Sequence, residues 1–194
     1  KTLDFAELFT ALSTSDVTAV GSGIPIAVIG WLLIAAAVLK SAQFPFHAWL
    51  PQTMETPTPV SALMHAGIVN AGGYLLIRMS PLVVHAPSAL TALAVMGAVT
   101  AVFGGVVMMT QTSVKQALAY STIAQMGFMM LQCGMGAFTA AMLHLLAHSL
   151  YKAHAFLNSG SVVSQSMAMN GAKPITNGQG SGWLGLLVVT AGTV

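Results

Sequence analysis

Between Gln116 and Ala172 the chain carries one formal charge, Lys152. A stretch that long with so little to solvate belongs in a bilayer, where each backbone polar group must be satisfied inside the protein and an apolar segment becomes a helix. Lys152 follows His148 by four residues, and His148 follows His144 by four. Residues four apart on a helix lie one above another, so the segment HLLAHSLYK stacks three titratable groups on one face. A charge at bilayer depth costs at least ~2.5 to 3.5 kcal/mol, so a lysine there faces a bundle interior or a wet path and has a task. That task points to moving protons or ions.

Composition agrees. Charged residues are 5% and apolar ones 56% of the 194, whereas a soluble domain carries roughly 25% charged residues. The reading is an all-α, polytopic transmembrane bundle with at least one discontinuous helix. A net charge of +2, with no Lys/Arg cluster interleaved with aromatics, gives no footprint for nucleic acid. Cys133 is the lone cysteine, which rules out an internal disulfide. The polar opening up to Asp16 is not a signal peptide. The chain opens without methionine and ends twelve residues into an apolar run from Trp183, so it is expected to be a piece of a longer transmembrane domain.

Residues 1–22 read as a surface segment, with a short amphipathic helix over 4–12 capped by Asp4 and Glu7 and striped by Phe5, Leu8, Phe9 and Leu12. Spans are expected at 23–50, 60–79, 88–110, 114–133 and 137–158, followed by a loop at 159–182 and the start of a further span at 183–194. A helix over 23–50 would measure ~42 Å against a ~30 Å hydrocarbon core. Pro45 breaks it and frees the carbonyl of Ser41, next to Lys40. Thr58-Pro59 caps the second span, which carries His65, Asn70 and many small residues. The third span has no ionisable group and a small-residue row at Gly97, Ala101 and Gly105. Ser121, Gln125 and Gln132 share a face of the fourth. No repeat of 20 to 50 residues is visible. Alternating spans place Lys1 and Arg78 on one side and Lys115 and Lys173 on the other, a tie that leaves orientation open.

Each candidate has a plainer reading. Lys40 at a helix boundary can snorkel to headgroups, and His65 can be a neutral core histidine bonded to a carbonyl. Glu55 in METPTP is, alone, a solvated loop carboxylate; His85 and His154 look like a loop residue and a helix-end residue. His144 and His148 have zinc-helix spacing, but no glutamate follows the first histidine as HExxH requires, and no metal is expected. A bis-histidine haem would need two of His65, His144 and His148, and no attachment motif is present. No cofactor is expected.

The runs KSAQFPFHAWLPQTMETPTPVSALMHAG, KQALAYSTIAQMGFM and HLLAHSLYKAHAFLNSGSV resemble, in order, the antiporter-like membrane subunits of respiratory complex I (its L subunit), Mrp antiporters and related ion-coupled complexes. The likeness covers about residues 24–163. It implies a proton-conducting half channel with discontinuous helices and a central row of lysines and histidines. Lys40 matches the lysine of the first broken helix, His65 the histidine after PTPVSAL, Lys115 the lysine before LAYST, and His144, His148 and Lys152 the later ladder; Glu55 matches the acidic position of the MEGPTP turn.

The variants HAGIVNAGGYLLIR, YKAHAFLNSG and MLQCGMGAF depart from the complex I pattern. They are more similar to the DabB branch, membrane subunits of inorganic carbon uptake complexes. The resemblance then implies a subunit of a bacterial inner membrane, with no covalent chemistry of its own. It would be bathed in lipid and paired with a large zinc-containing DabA-like subunit, or alternatively with other complex I or Mrp subunits. Water with Ser121 and Gln125 would bridge the relay, and the histidines can pass protons in either direction near neutral pH.

Overall fold

Two glycine-bearing helices meet closely enough to fix the centre of the fold. In the computed structural model, which describes residues 5–13 and 26–171, α7 (Pro87–Thr110) and α8 (Val114–Gly134) form an antiparallel hairpin. A methyl on Gly97 would sit 2.7 Å from the Gly127 carbonyl oxygen, and one on Gly104 would sit 2.7 Å from the Ala124 nitrogen. Such contacts let backbones touch, the packing mode that substitutes for hydrophobic drive inside lipid. Of the small-residue row read from the sequence, Gly97 and Ala101 meet α8, while at the third position Gly104 makes the contact and Gly105 has nothing within 4 Å.

The remaining elements are α1 (Phe5–Ser13), α2 (Ile26–Lys40), α3 (Trp49–Gln52), α4 (Thr58–Ala66), α5 (Ala71–Arg78), α6 (Ser80–Val83) and α9 (Phe138–Gly171), with 3-10 turns at Thr53–Glu55 and Ile68–Asn70. Every regular element among the described residues is helical. The chain divides into two compact units, Lys1–Ser161 and Val162–Val194, and of the second only the helical residues 162–171 are described. Thr58–Arg78 and Pro87–Thr110 are long and apolar enough to cross a bilayer, and Ile26–Lys40 is a shorter apolar helix.

Local chemistry explains where the helices stop. The expected 23–50 helix ends at Lys40, five residues ahead of Pro45, and the chain turns through residues 41–48 before α3. The Ser41 carbonyl is taken by the Gln43 side chain at 2.9 Å, while the Ser41 hydroxyl reaches the Val69 carbonyl at 2.8 Å. The expected helix over 60–79 is likewise interrupted. Asn70 N bonds Gly67 O at 3.1 Å, as in a 3-10 turn, and the Asn70 side-chain amide covers the Ala66 carbonyl at 2.6 Å. A side chain thus replaces the backbone bond that the tighter turn forfeits. The loop expected from Ser159 is instead helical to Gly171; Ser159 bonds the Phe156 carbonyl at 2.7 Å, and nothing in that stretch lacks a backbone donor. Expectations for Asp4 and for residues 172–194 lie outside the described residues.

The core gathers Ile34, Leu50, Val69, Leu76, Leu93, Ile123, Met126 and Met129 from α2, α3, the second 3-10 turn, α5, α7 and α8. Helix α1 packs through Phe9 beside Ile26 and Leu82, with Arg78 stacked 6.0 Å over the Phe9 ring. Of its apolar stripe, Phe9 is packed in this way and Phe5 is exposed.

The glycine seam yields a direct test. Gly97→Leu must force α7 and α8 apart, a cost of about 1 to 3 kcal/mol or more, so the variant should lose several degrees of thermal stability in detergent. Gly105→Leu, at an open position, should lose little.

Candidate functional site

Lys152 is the largest fully buried side chain among the described residues. Its ammonium donates to the Leu118 carbonyl at 3.1 Å and to the Ser121 hydroxyl, and lies 5.7 Å from the Tyr151 ring centre. All three partners are neutral. Among the described residues this buried ammonium meets no carboxylate and is balanced by hydrogen bonds and ring contact, at a cost in lost hydration.

Helix α9 runs antiparallel to α8 and sets the ladder along it. His148, 5% exposed, has no hydrogen-bond partner at either ring nitrogen. His144 Nδ1 donates to Gln132 Oε1 at 3.1 Å, and the two histidine rings are 6.2 Å apart. Both line a cleft of about 730 Å³ with Ser121, Gln125, Phe128 and Tyr151. A water occupies ~30 Å³, so the cleft has room for many waters beside the ladder, while the His148 ring nitrogens themselves are buried. Gln125 faces this cleft from an exposed position.

His65 sits on the other side of Lys152. Spacing alone gives it no ionisable neighbour on its own helix, yet the fold brings it against α8 and α9. Its Nδ1 lies 3.2 Å from the Thr122 hydroxyl, which donates to the same Leu118 carbonyl that Lys152 uses, at 3.0 Å. The ring stacks on Phe156, 4.5 Å between centres. Nearby, the Asn70 amide donates to the Ser149 hydroxyl at 2.9 Å, tying the interrupted helix to the ladder.

The other candidates lie apart. Lys40 is exposed at the last turn of α2, and no hydrogen bond joins it to the cluster. Pro45 is in the turn after α2, and Glu55 is exposed. Lys115 grips neither Glu55 nor the ladder; its ammonium donates to the Thr56 carbonyl at 3.2 Å and to the Met54 carbonyl at 3.4 Å, clasping the METPTP turn. Sequence reasoning missed Thr122, Ser149 and the structural use of Asn70, because their roles depend on contacts between residues 57 to 79 positions apart. Among the described residues no cluster of His, Cys, Asp and Glu could hold a metal.

The sequence family described as "NADH:quinone oxidoreductase/Mrp antiporter, TM" matches residues 1–178. The "Probable inorganic carbon transporter subunit DabB1" of Halothiobacillus neapolitanus is 50% identical over 170 residues, covering 87% of this chain and 30% of that protein. The chloroplastic "NAD(P)H-quinone oxidoreductase subunit 5" of Vicia faba is 46% identical over 144 residues, covering 74% of this chain and 19% of its own length. A solved chain of the Mrp complex from Dietzia sp. DQ12-45-1b is 40% identical with a TM-score of 0.73, covering 83% of this chain and 19% of that one. The chain thus spans less than a third of these relatives.

Lys115 gives the site's own test. Hydrogen bonds to a charged donor contribute about 1.5 to 3 kcal/mol, so Lys115→Met should raise amide exchange across residues 53–61 by roughly tenfold or more. Unchanged exchange there would contradict the clasp.

Proposed function

The chain belongs to the NADH:quinone oxidoreductase/Mrp antiporter transmembrane family, and on that premise we propose that it is part of an ion-translocating subunit that couples a cation gradient to inorganic carbon uptake. The observation that carries the ion-moving half is Lys152, fully buried among neutral partners one helical turn from His148, which with His144 lines a cleft large enough for water. The carbon half rests on the 50% identity to the DabB1 protein. In this proposal the helices from α2 onward are part of one transmembrane domain, and α2 with α3 is a discontinuous helix beside Lys40, a reading that the turn between them supports.

In this reading a proton is handed along the titratable groups and the water between them, in exchange for another cation or along its own gradient, and no covalent intermediate forms. Burial disfavours the charged form of a lysine, while a nearby carboxylate restores it. A carboxylate from elsewhere in the full-length protein or complex would then toggle Lys40, and Lys152, His148 and His144 pass the charge inward. Lys115 organises the turn that carries Glu55, Ser121 and Gln125 line the path, and His65 joins from the other side. The chain works in a bacterial inner membrane beside a large zinc-containing partner that performs the carbon chemistry.

A second reading keeps the same relay in a respiratory complex. The 46% identity to the quinone oxidoreductase subunit favours it. There the partners are redox subunits, and proton pumping is driven by electron transfer.

Growth separates the two. The full-length protein co-expressed with its large zinc partner should restore growth in ambient air to a host lacking carbonic anhydrase. Lys40→Ala and Lys152→Ala variants, present in the membrane at wild-type amounts, should restore none. Membranes whose NADH oxidation falls when the gene is deleted, with no effect on growth in air, would replace carbon uptake by the respiratory reading.

A further inference from the structure

Thr122 lies between the two titratable groups that the fold brings together from different helices. Its hydroxyl has one proton and donates it to the Leu118 carbonyl at 3.0 Å. Towards His65 Nδ1, 3.2 Å away, the oxygen therefore has only a lone pair to offer, and Nδ1 must carry the hydrogen. In a neutral imidazole that leaves Nε2 as the acceptor. Nε2 is buried and has no hydrogen-bond partner. The ring cannot swing freely, since it is fully buried and stacked on Phe156.

The Leu118 oxygen, inside α8, accepts the backbone N–H of Thr122 as any helix carbonyl does, and two side chains of this cluster share what remains: the Thr122 hydroxyl and, at 3.1 Å, the Lys152 ammonium. An ammonium is a far stronger donor than a neutral amine. When Lys152 gives up its proton, the carbonyl becomes a better acceptor for Thr122, and the hydroxyl is held more firmly away from donating to His65. The charge of one residue thus bears on the hydrogen of another with a single carbonyl and a single hydroxyl between them.

We propose that Thr122 is a positioning residue that holds His65 in its Nδ1–H form, leaves Nε2 as the proton-accepting atom, and links that choice to Lys152 through the Leu118 carbonyl. The proposal rests on the ion-translocating reading given above. The plainer role for a helix threonine is to back-bond its own turn and bend it slightly. Both roles use the hydroxyl, and only a role at His65 shows in the tautomer of that ring.

The test uses the whole protein in its membrane complex, with Thr122→Val, which keeps the shape and removes the oxygen, and Thr122→Ser, which keeps the oxygen. Ion flux in reconstituted vesicles should fall roughly five- to tenfold in Thr122→Val, as for one lost hydrogen bond, and stay near wild type in Thr122→Ser. Nitrogen-15 spectra of histidine-labelled protein, with the His65 signal identified by its loss in His65→Gln, should show hydrogen on Nδ1 in wild type and Thr122→Ser but not in Thr122→Val. Wild-type flux with an unchanged His65 spectrum in Thr122→Val would overturn the proposal, as would equal losses in both variants. Full flux in Lys152→Ala would instead remove the ion-translocating reading and the link to Lys152, while the His65 spectrum judges the tautomer separately.

Discussion

One buried ammonium organises this chain. Lys152 is enclosed at the interface of α8 and α9, and among the described residues its partners are a carbonyl, a hydroxyl and a ring face. Burying a charge is costly unless its hydrogen bonds are made and held. The position of α8 is therefore decisive, since that helix offers both oxygen atoms. The glycine seam fixes it against α7, and Gly73 packed on Met129 fixes it against α5.

The interruptions of the helices serve the same end. At Gly67 the chain tightens into a 3-10 turn, and Asn70, freed from regular helix geometry, uses its side chain both to close the turn and to reach Ser149 on the ladder helix. After Lys40 the Gln43 side chain does a comparable service for the Ser41 carbonyl. In each case a side chain meets a backbone group that lipid could not, which is the condition for irregular backbone at membrane depth. Lys115 adds a third instance, an ammonium holding the carbonyls of the turn before α4. The polar residues of this apolar chain are spent mainly on backbone atoms.

Much of this was legible in the sequence. The ladder of His144, His148 and Lys152 follows from four-residue spacing and lies on α9 with His148 and Lys152 buried. The helical class follows from the scarcity of charge, and the family from three long motifs. What spacing could not supply was the partner across a helix interface. His65 looked isolated because its neighbours come from α8 and α9, and Gly104 rather than Gly105 meets α8 because a one-residue rotation is invisible in composition. Helix ends were misplaced where side chains, not proline alone, decided them: α2 stops ahead of Pro45, and α9 runs past Ser159.

On the ion-translocating proposal, the charge on Lys152, more than its bulk, carries function. Ion flux through the full-length protein reconstituted in vesicles, compared between wild type and Lys152→Met, measures it directly. Methionine keeps much of the length and apolar volume and removes the ammonium, so the protein should insert and remain folded. The account predicts that coupled flux falls to background in Lys152→Met. Wild-type flux in that variant would contradict it.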